Sequence, residues 1–238
     1  MRAADDTEVV PPVFARTTPL CRDAHATEQG LRPAPRFVWL GATSMPASKP
    51  RTLLHPDLAE VLLTEEQIKQ RVKTIAAEIK AVYGDNEFTI ISLINGAVMF
   101  TADLMREIDN PVRLDCIRVS SYGLRTKSIG APQIIHSLTL DIKNRDVLLI
   151  DDILDTGKTL KLVSELVREL KPSSLRTCVL LDKKARREVP MEADFVGFEI
   201  PDKFVVGYGL DFAERYRNLP GIGVLKPEKQ TASAWASG

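Results

Sequence analysis

The chain has 238 residues, with 32 Lys and Arg against 32 Asp and Glu, so its formal net charge is zero. That length suits one well-filled domain, with or without a tail, and argues against two large domains. A neutral chain has no overall field that would attract nucleic acid or an anionic membrane. No uncharged apolar run approaches the roughly 20 residues needed to cross a bilayer. We therefore expect a soluble, cytoplasmic protein without nucleic-acid or membrane partners.

Residues 1–50 differ in composition from the rest of the chain. Seven prolines punctuate a stretch of mixed charge without hydrophobic periodicity, a pattern typical of disorder. Early acidic residues argue against a secretory signal, and five acidic residues before Met45 argue against an organelle transit peptide. One hypothesis is that translation begins at Met45. We divide the chain into a disordered extension at 1–50, a folded domain at 51–228 and a flexible tail at 229–238.

An amphipathic helix is predicted near the start of the folded domain. Thr64-Glu65-Glu66-Gln67 has the form of a capping box. Apolar residues follow at helical spacing, namely Ile68, Val72, Ile75, Ile79 and Val82. The turn residues Gly84-Asp85-Asn86 end this pattern.

Apolar runs alternate with helical segments in the rest of the domain. We predict strands at 88–94, 114–119, 134–140, 147–150, 175–181 and 195–200, and helices at 97–108 and 159–170. This alternation predicts an α/β fold with a mostly parallel sheet flanked by helices on both faces. In such a sheet, ligands bind where the carboxyl ends of the strands open into loops.

The most informative segment runs from Asp146 to Leu160 and reads as a buried strand, an acidic turn and a helix. Asp151, Asp152 and Asp155 crowd one strand end, where unpaired carboxylates would repel one another, so a polyhydroxyl or cationic partner is favoured. The helix N-terminus that follows offers free amides and a dipole that favour a phosphate; its residues are Thr156, Gly157, Lys158 and Thr159. A sugar at the acids and a phosphate at the amides together describe a ribose 5-phosphate.

Gly157-Lys158-Thr159 also resembles the end of a nucleotide-binding P-loop. That motif requires a glycine five residues before Gly157, where this chain has Asp152. An acid at this place would face the phosphates that the loop must enclose. An ordinary strand, turn and capped helix would explain the apolar residues but not the three carboxylates. We therefore favour a ribose 5-phosphate site.

The same segment resembles the signature that binds 5-phosphoribosyl-1-pyrophosphate (PRPP) in type I phosphoribosyltransferases. Residues 54 to about 227 resemble the hypoxanthine-guanine members, and Phe195 to Asp211 is a particularly close match. The resemblance implies a Rossmann-like sheet with a small hood subdomain and a mobile lid loop. It implies a magnesium-dependent enzyme of purine salvage that transfers 5-phosphoribosyl from PRPP to N9 of hypoxanthine or guanine and releases pyrophosphate. It also implies a homodimer or homotetramer.

The resemblance assigns roles on the PRPP side of the site. Asp151 and Asp152 would bind the ribose hydroxyls, directly or through magnesium, although family members usually have Glu at the first place. The loop from Asp155 to Thr159 would hold the 5-phosphate, and Asp155, near purine N7, is the candidate general acid or base. Asp211 resembles a second magnesium ligand, and Arg217 resembles a pyrophosphate contact.

Further roles concern the purine. Lys183 matches the lysine that donates to the 6-oxo group, a donor that disfavours adenine. Phe204 would stack on the base, and the Val205 main chain would contact the edge of the base. Asp211 is also counted among the purine-binding residues. Hypoxanthine and guanine share the 6-oxo group and differ at the 2-position, so either or both are predicted substrates.

Two more loops fit the family pattern. Ile94-Asn95-Gly96 lies where the family has a short pyrophosphate-binding loop with a cis peptide, although members often carry a basic residue at the Asn95 position. Ser121-Tyr122, followed by cations and glycines up to Gly130, resembles the lid that closes over the reacting centre.

The basic run from Lys183 to Arg187 could be a nucleic-acid patch, but apart from Lys183 we favour a solvated loop.

Two alternative functions stay open at this point. A xanthine-preferring phosphoribosyltransferase would share the PRPP site, and the context of Lys183 and Phe204 disfavours it. A nucleic-acid-binding regulator that keeps the fold as a PRPP sensor would need a basic face or an added domain. Such a regulator would also have little use for Asp155 together with a lid.

Overall fold

The computed structural model describes residues 55–120, 133–136 and 138–230. The predicted extension at 1–50, the lid residues Ser121 and Tyr122, and nearly all of the predicted tail lie outside this part of the chain. The domain boundaries at 51 and 228 therefore stay predictions. Within the described ranges, no helix is both long and apolar enough to cross a membrane.

The described residues form nine strands and three α-helices. In chain order they are β1 (Leu58–Leu63), α1 (Glu65–Tyr83), β2 (Phe88–Ile94), α2 (Val98–Arg106), β3 (Val112–Ser120), β4 (Gln133–His136), β5 (Asp146–Leu154), α3 (Lys158–Glu169), β6 (Ser174–Asp182), β7 (Phe195–Glu199), β8 (Val205–Val206) and β9 (Ile222–Leu225). A short 3₁₀ turn, Lys184–Arg186, follows β6.

Six of these strands make the main sheet, in the spatial order β4-β3-β2-β5-β6-β7. All neighbours pair in parallel except β3 and β4, which are antiparallel. The predicted mostly parallel α/β sheet is therefore confirmed. The edge strand β4 runs antiparallel to β3. No helix was predicted between this strand and β5, and the structure has none there among the described residues.

Helices cover both faces of the main sheet. Successive residues of β5 contribute to opposite faces, so Leu148 and Ile150 pack in one core with α1 and α2, while Val147 and Leu149 pack in another with α3. β2 is buried along almost its whole length, as expected for a strand covered on both sides. This packing leaves the carboxyl ends of the strands as the open edge of the sheet.

A second, three-stranded sheet has the order β1-β9-β8, with both pairings antiparallel. It corresponds to the small hood subdomain that the resemblance implied. The periodicity of the sequence did not predict its strands. β8 has two residues and β9 has four, too few alternations to be recognised. β1 has six residues, but its burial does not alternate along the strand.

The start of α1 is as predicted, whereas its last turn differs. Thr64 Oγ1 accepts from the Gln67 amide at 3.2 Å, and Gln67 Oε1 accepts from the Thr64 amide at 2.9 Å, which completes the capping box. Val82 was predicted on the apolar face but is 45% exposed, and Tyr83 is buried instead. The Tyr83 ring stacks on Phe88 with a centroid distance of 4.4 Å.

The predicted strand at 134–140 is too long. β4 ends at His136, and residues 138–140 are not in a strand. The amides of Thr139 and Leu140 donate instead to Asp115 Oδ2, at 2.7 and 2.8 Å. These two amides therefore donate to a side-chain carboxylate, whereas amides in a strand donate to the carbonyls of a neighbouring strand.

Candidate active site

A cavity of about 760 Å³ opens at the carboxyl ends of β2, β3 and β5. Ten of the residues singled out in the sequence line it: Asn95, Gly96, Asp151, Asp152, Asp155, Gly157, Thr159, Phe204, Asp211 and Arg217. Thr156, Lys158, Lys183 and Val205 are not among its lining residues. Residues from distant parts of the sequence thus meet where the fold class places a ligand.

Asp151 and Asp152 form a pair of carboxylates at the end of β5. Asp151 is only 7% exposed, and its Oδ1 accepts from the Asp152 amide at 2.9 Å. Burial, reinforced by the adjacent charge of Asp152, raises the pKa of the Asp151 carboxyl well above its ordinary value. Burial also raises the pKa of Asp152, against the lowering effects of hydrogen bonds and of Arg217. The pair is suited to partners that compensate negative charge or donate hydrogen bonds.

The turn between β2 and α2 closes tightly on this pair. The Ile94–Asn95 peptide bond is cis, as the resemblance implied. A Cβ placed on Gly96 would lie 1.9 Å from Asp152 Oδ2, and a Cβ placed on Gly209 would lie 2.1 Å from the Gly96 carbonyl oxygen. The end of β5 and the loop after β8 therefore both close on the Gly96 turn and leave no room for a side chain there.

The loop from Asp155 to Thr159 leads from β5 into α3. Gly157, with φ of 84°, is the N-cap of α3 and has no side chain to cap the helix, but Thr156 Oγ1 accepts from the Lys158 amide at 3.4 Å. The first amides of a helix have no intrahelical partners and can face an anion. Asp155 Oδ1 accepts from the Thr156 amide at 2.5 Å. The Lys158 side chain forms an ion pair with Glu188.

Lys183 lies at the start of the turn that follows β6. Lys183 is 6% exposed. Its Nζ donates to the Lys203 carbonyl oxygen at 2.8 Å and lies 3.8 Å from Asp202 Oδ1. Burial lowers the pKa of Lys183, although the charge of Asp202 opposes this effect. Lys183 is therefore buried and paired, and it is not among the residues that line the cavity.

The loops after β7 and β8 supply the opposite wall. Phe204 is 40% exposed and meets Phe212 edge to face, with ring centroids 5.5 Å apart. Val205, by contrast, is buried in the small sheet, where it pairs with Val224. An exposed ring at a cavity wall is suited to stack on a planar ligand.

Asp211 and Arg217, predicted as separate ligand contacts, are paired with each other. Arg217 Nη2 lies 2.8 Å from Asp211 Oδ1, and Arg217 Nη1 donates to the Gly209 carbonyl oxygen at 2.8 Å. Arg217 therefore holds together the loop that carries Gly209 and Asp211.

Two arginines of the site were missed in the sequence. Arg118 lines the cavity, and its place at the carboxyl end of β3 was the signal that could have revealed it. Arg187 was interpreted as part of a solvated loop, and this was wrong, since its side chain is only 17% exposed. It pairs with Asp182 and donates to the Asp155 carbonyl oxygen. Nothing in its local sequence distinguishes it from the exposed Lys184 and Arg186.

Comparisons with known proteins show which family the chain resembles. A family model described as "Phosphoribosyl transferase domain" matches residues 59–213. A hypoxanthine-guanine phosphoribosyltransferase of Bacillus subtilis is 48% identical over 175 residues, which cover 74% of this chain and 97% of that protein.

Solved structures give the same result. A hypoxanthine phosphoribosyltransferase from Staphylococcus aureus has a TM-score of 0.71 and 46% identity, covering 77% of this chain and all of that one. A Trypanosoma cruzi hypoxanthine phosphoribosyl transferase, solved to study the role of its C-terminal region in oligomeric state and activity, has a TM-score of 0.70 and 39% identity. That match covers 76% of this chain and 96% of the other.

Proposed function

Since the chain belongs to the phosphoribosyltransferase family, within its hypoxanthine-guanine group, we propose that the 760 Å³ cavity is the site of its reaction. The protein is an enzyme of purine salvage that transfers 5-phosphoribosyl from PRPP to N9 of hypoxanthine or guanine and releases pyrophosphate. One observation carries the proposed site: Asp151, Asp152 and Asp155 line the same cavity as the start of α3.

The ribose 5-phosphate of PRPP fits along this wall. The sugar hydroxyls would donate to Asp151 and Asp152, whose pKa values are raised by burial. The 5-phosphate would accept from the amides around Gly157 and Thr159, at the positive end of α3. One end of the substrate would thus meet carboxylates and the other would meet amides, which fixes its direction in the cavity.

Pyrophosphate would lie between the Asn95-Gly96 turn and Arg217. Arg217 now pairs with Asp211, so an incoming pyrophosphate would compete with the Asp211 carboxylate for the guanidinium. The exchange would free Asp211 to bind a cation beside the leaving group. Asn95 carries no charge, so this turn can offer pyrophosphate only polar groups, and the positive charge must come from elsewhere.

Magnesium suits the oxygen donors of Asp151, Asp152 and Asp211. The ion needs only one or two carboxylates when substrate oxygens and water complete its shell. Within the described ranges no group of three or more His, Cys, Asp or Glu side chains is arranged to hold a metal, and a shared site with PRPP requires none. When bound, the ion would neutralise the charge of the departing pyrophosphate.

The chain's own groups account for the remaining chemistry. As pyrophosphate leaves ribose C1, positive charge develops on the sugar, and purine N9 attacks the opposite face of C1. The Asp155 carboxylate would take the N7 proton during this attack. Orientation of the two substrates by preorganised groups would supply most of the rate enhancement. No covalent bond to the enzyme is needed.

Purine selection would depend on Lys183 and Phe204. The exposed Phe204 ring would stack on the base, and the Lys183 ammonium would donate to the 6-oxo group. Because adenine presents an amino group there, a charged donor cannot pair with it. Lys183 now donates to the Lys203 carbonyl, so its ammonium has two further hydrogens for the base.

Turnover with PRPP and magnesium, measured separately with hypoxanthine, guanine, xanthine and adenine, tests the proposal. We expect conversion of hypoxanthine or guanine and little of adenine. Asp155→Asn should lower kcat by about 10²-fold or more, as loss of a general acid or base does. The control Asp85→Asn, at an exposed position, should keep wild-type kcat.

Other outcomes would change the conclusion. If no purine reacts while PRPP still binds, a regulator that senses PRPP replaces the enzyme. If xanthine is preferred, the xanthine-specific alternative is correct. An Asp155→Asn variant with unchanged kcat would refute the assigned proton transfer alone.

We also propose that the enzyme is cytoplasmic and assembles as a homodimer or homotetramer, as the family resemblance implies. Light scattering of the purified protein measures the second property directly.

A further inference from the structure

The segment from Arg187 to Val189 lies directly behind the phosphate loop, residues 155–159. Arg187 Nη1 donates to the Asp155 carbonyl oxygen at 2.5 Å. The amides of Glu188 and Val189 both donate to the Thr156 carbonyl oxygen, at 3.0 and 3.2 Å. The first two carbonyls of the phosphate loop are therefore bound by this one segment.

Arg187 is itself held by the sheet. Its Nη2 pairs with Asp182, the last residue of β6, whose side chain is 6% exposed. In the parallel register of the two strands, Asp182 lies beside Leu154, the last residue of β5. The guanidinium thus links the end of β6 to the loop that follows β5.

The contacts of Arg187 lie on the outer side of the loop. Asp155, Gly157 and Thr159 line the substrate cavity, whereas Arg187 and Asp182 line a separate depression between α3, β6 and residues 190–194. A Cβ on Gly157 would lie only 3.1 Å from Arg187 Cδ. The loop is therefore enclosed by the substrate cavity on one side and by the arginine on the other.

We propose that Arg187, anchored by Asp182, is a positioning residue that holds the phosphate loop in the geometry required to bind the 5-phosphate of PRPP. It does not touch the substrate. A planar guanidinium can donate to two acceptors in fixed directions, whereas the single ammonium of lysine cannot reproduce this geometry. Small displacements of a binding loop cost much of its affinity.

This inference rests on the proposed assignment of residues 155–159 to the 5-phosphate, so the test includes a variant of that loop. The variants are Arg187→Met, Arg187→Lys, Thr159→Val as the loop probe, and Lys184→Met as the matched control. Lys184 lies in the same turn, but its side chain is 63% exposed and pairs with Glu199. For each variant one measures kcat, KM for PRPP, KM for hypoxanthine and the rise in melting temperature caused by PRPP.

We expect Arg187→Met to raise KM for PRPP by about tenfold or more while KM for hypoxanthine changes less than about twofold. The rise in melting temperature caused by PRPP should shrink, because weaker binding stabilises the folded state less. Arg187→Lys should show an intermediate effect, and Lys184→Met should behave as wild type. If Arg187→Met fails to fold because Asp182 loses its partner, Arg187→Lys decides the question.

Two results would overturn the inference. One is a variant of Arg187 with a lower melting temperature but wild-type KM for PRPP and wild-type stabilisation by PRPP, which would leave Arg187 a structural role only. The other is an equal rise in both KM values. If Thr159→Val also leaves KM for PRPP unchanged, the assignment of the loop is wrong as well. If Thr159→Val raises that KM and Arg187→Lys does not, only the inference fails.

Discussion

Asp151 and Lys183 are both ionisable side chains that the fold buries almost completely. Burial raises the pKa of the first and lowers that of the second, so each charged form is less favourable than it would be in water. Such groups add little to stability, and perturbed ionisation is typical of functional sites. The proposed function uses Asp151 to bind sugar hydroxyls and Lys183 to donate to the purine oxo group.

Gly96 lies so close to Asp152 that the site has no room for a side chain at this position. A Cβ there would overlap Asp152 Oδ2, so Gly96→Ala must displace either the carboxylate or the turn that follows β2. We expect kcat/KM for PRPP to fall by about 10²-fold, the loss that a displacement near 1 Å can cause. Steady-state kinetics measure this effect.

Gly84→Ala is the matched control for this substitution. Its Cβ would meet nothing within 4 Å, although φ is +61°, so a loss of about 1 kcal/mol in stability is expected without a loss of activity. Wild-type kinetics for Gly96→Ala would show that the contact with Asp152 is not required.

At the scale of elements, Asp115 joins β3 to the chain that returns after β4. Its carboxylate accepts from the amides of Cys116, Thr139 and Leu140. Burial alone would raise the pKa of Asp115, but these hydrogen bonds favour the charged form and bring the pKa below its ordinary value of 3.8. The ionised carboxylate therefore stabilises the folded state above about pH 4.

Asp115→Asn should lower the free energy of unfolding by about 1–3 kcal/mol at neutral pH, because an amide cannot satisfy all these donors. The difference from wild type should be constant above about pH 5 and should shrink as the pH falls below 4 towards the folded pKa. Urea unfolding at several pH values measures it.

Asp141→Asn serves as the control for Asp115→Asn, since Asp141 is exposed and accepts from the Lys143 amide. We expect a much smaller effect from it at every pH. A difference between Asp115→Asn and wild type that does not depend on pH would contradict the role of the ionised carboxylate.

At the scale of the whole molecule, the core residues of the described part of the chain begin at Leu58. The family model begins at residue 59, and 175 residues of this chain match 97% of the Bacillus subtilis relative. Deletion of residues 1–44 should therefore leave kcat/KM within about twofold of wild type and change the free energy of unfolding by less than about 0.5 kcal/mol, as for changes outside the core.

Kinetics and thermal unfolding of the shortened chain test this prediction. A clear loss of activity would show that the segment contributes to the site or to folding. Mass spectrometry of the native protein addresses the related start-site hypothesis, because a peptide from residues 1–44 would reject a start at Met45.

The sequence by itself determined the features that depend on neighbouring residues. Apolar runs identified the strands of the main sheet, and the local bonds of Thr64 and Gln67 identified the start of α1. The three carboxylates at the end of β5 and just after it indicated a ribose 5-phosphate site, because they and the start of α3 lie within a few residues of one another. Such patterns can be read from the sequence because helix and strand geometry repeat over a few residues.

Only the tertiary structure decided which distant groups meet. Asp152 lies against Gly96, Asp211 pairs with Arg217, and Arg187 is buried against Asp182 while its neighbour Lys184 is exposed. In the second sheet, β1 likewise pairs with β9 across most of the chain. Burial and pairing depend on how whole elements pack, and residues next to one another in sequence can then face the core or the solvent.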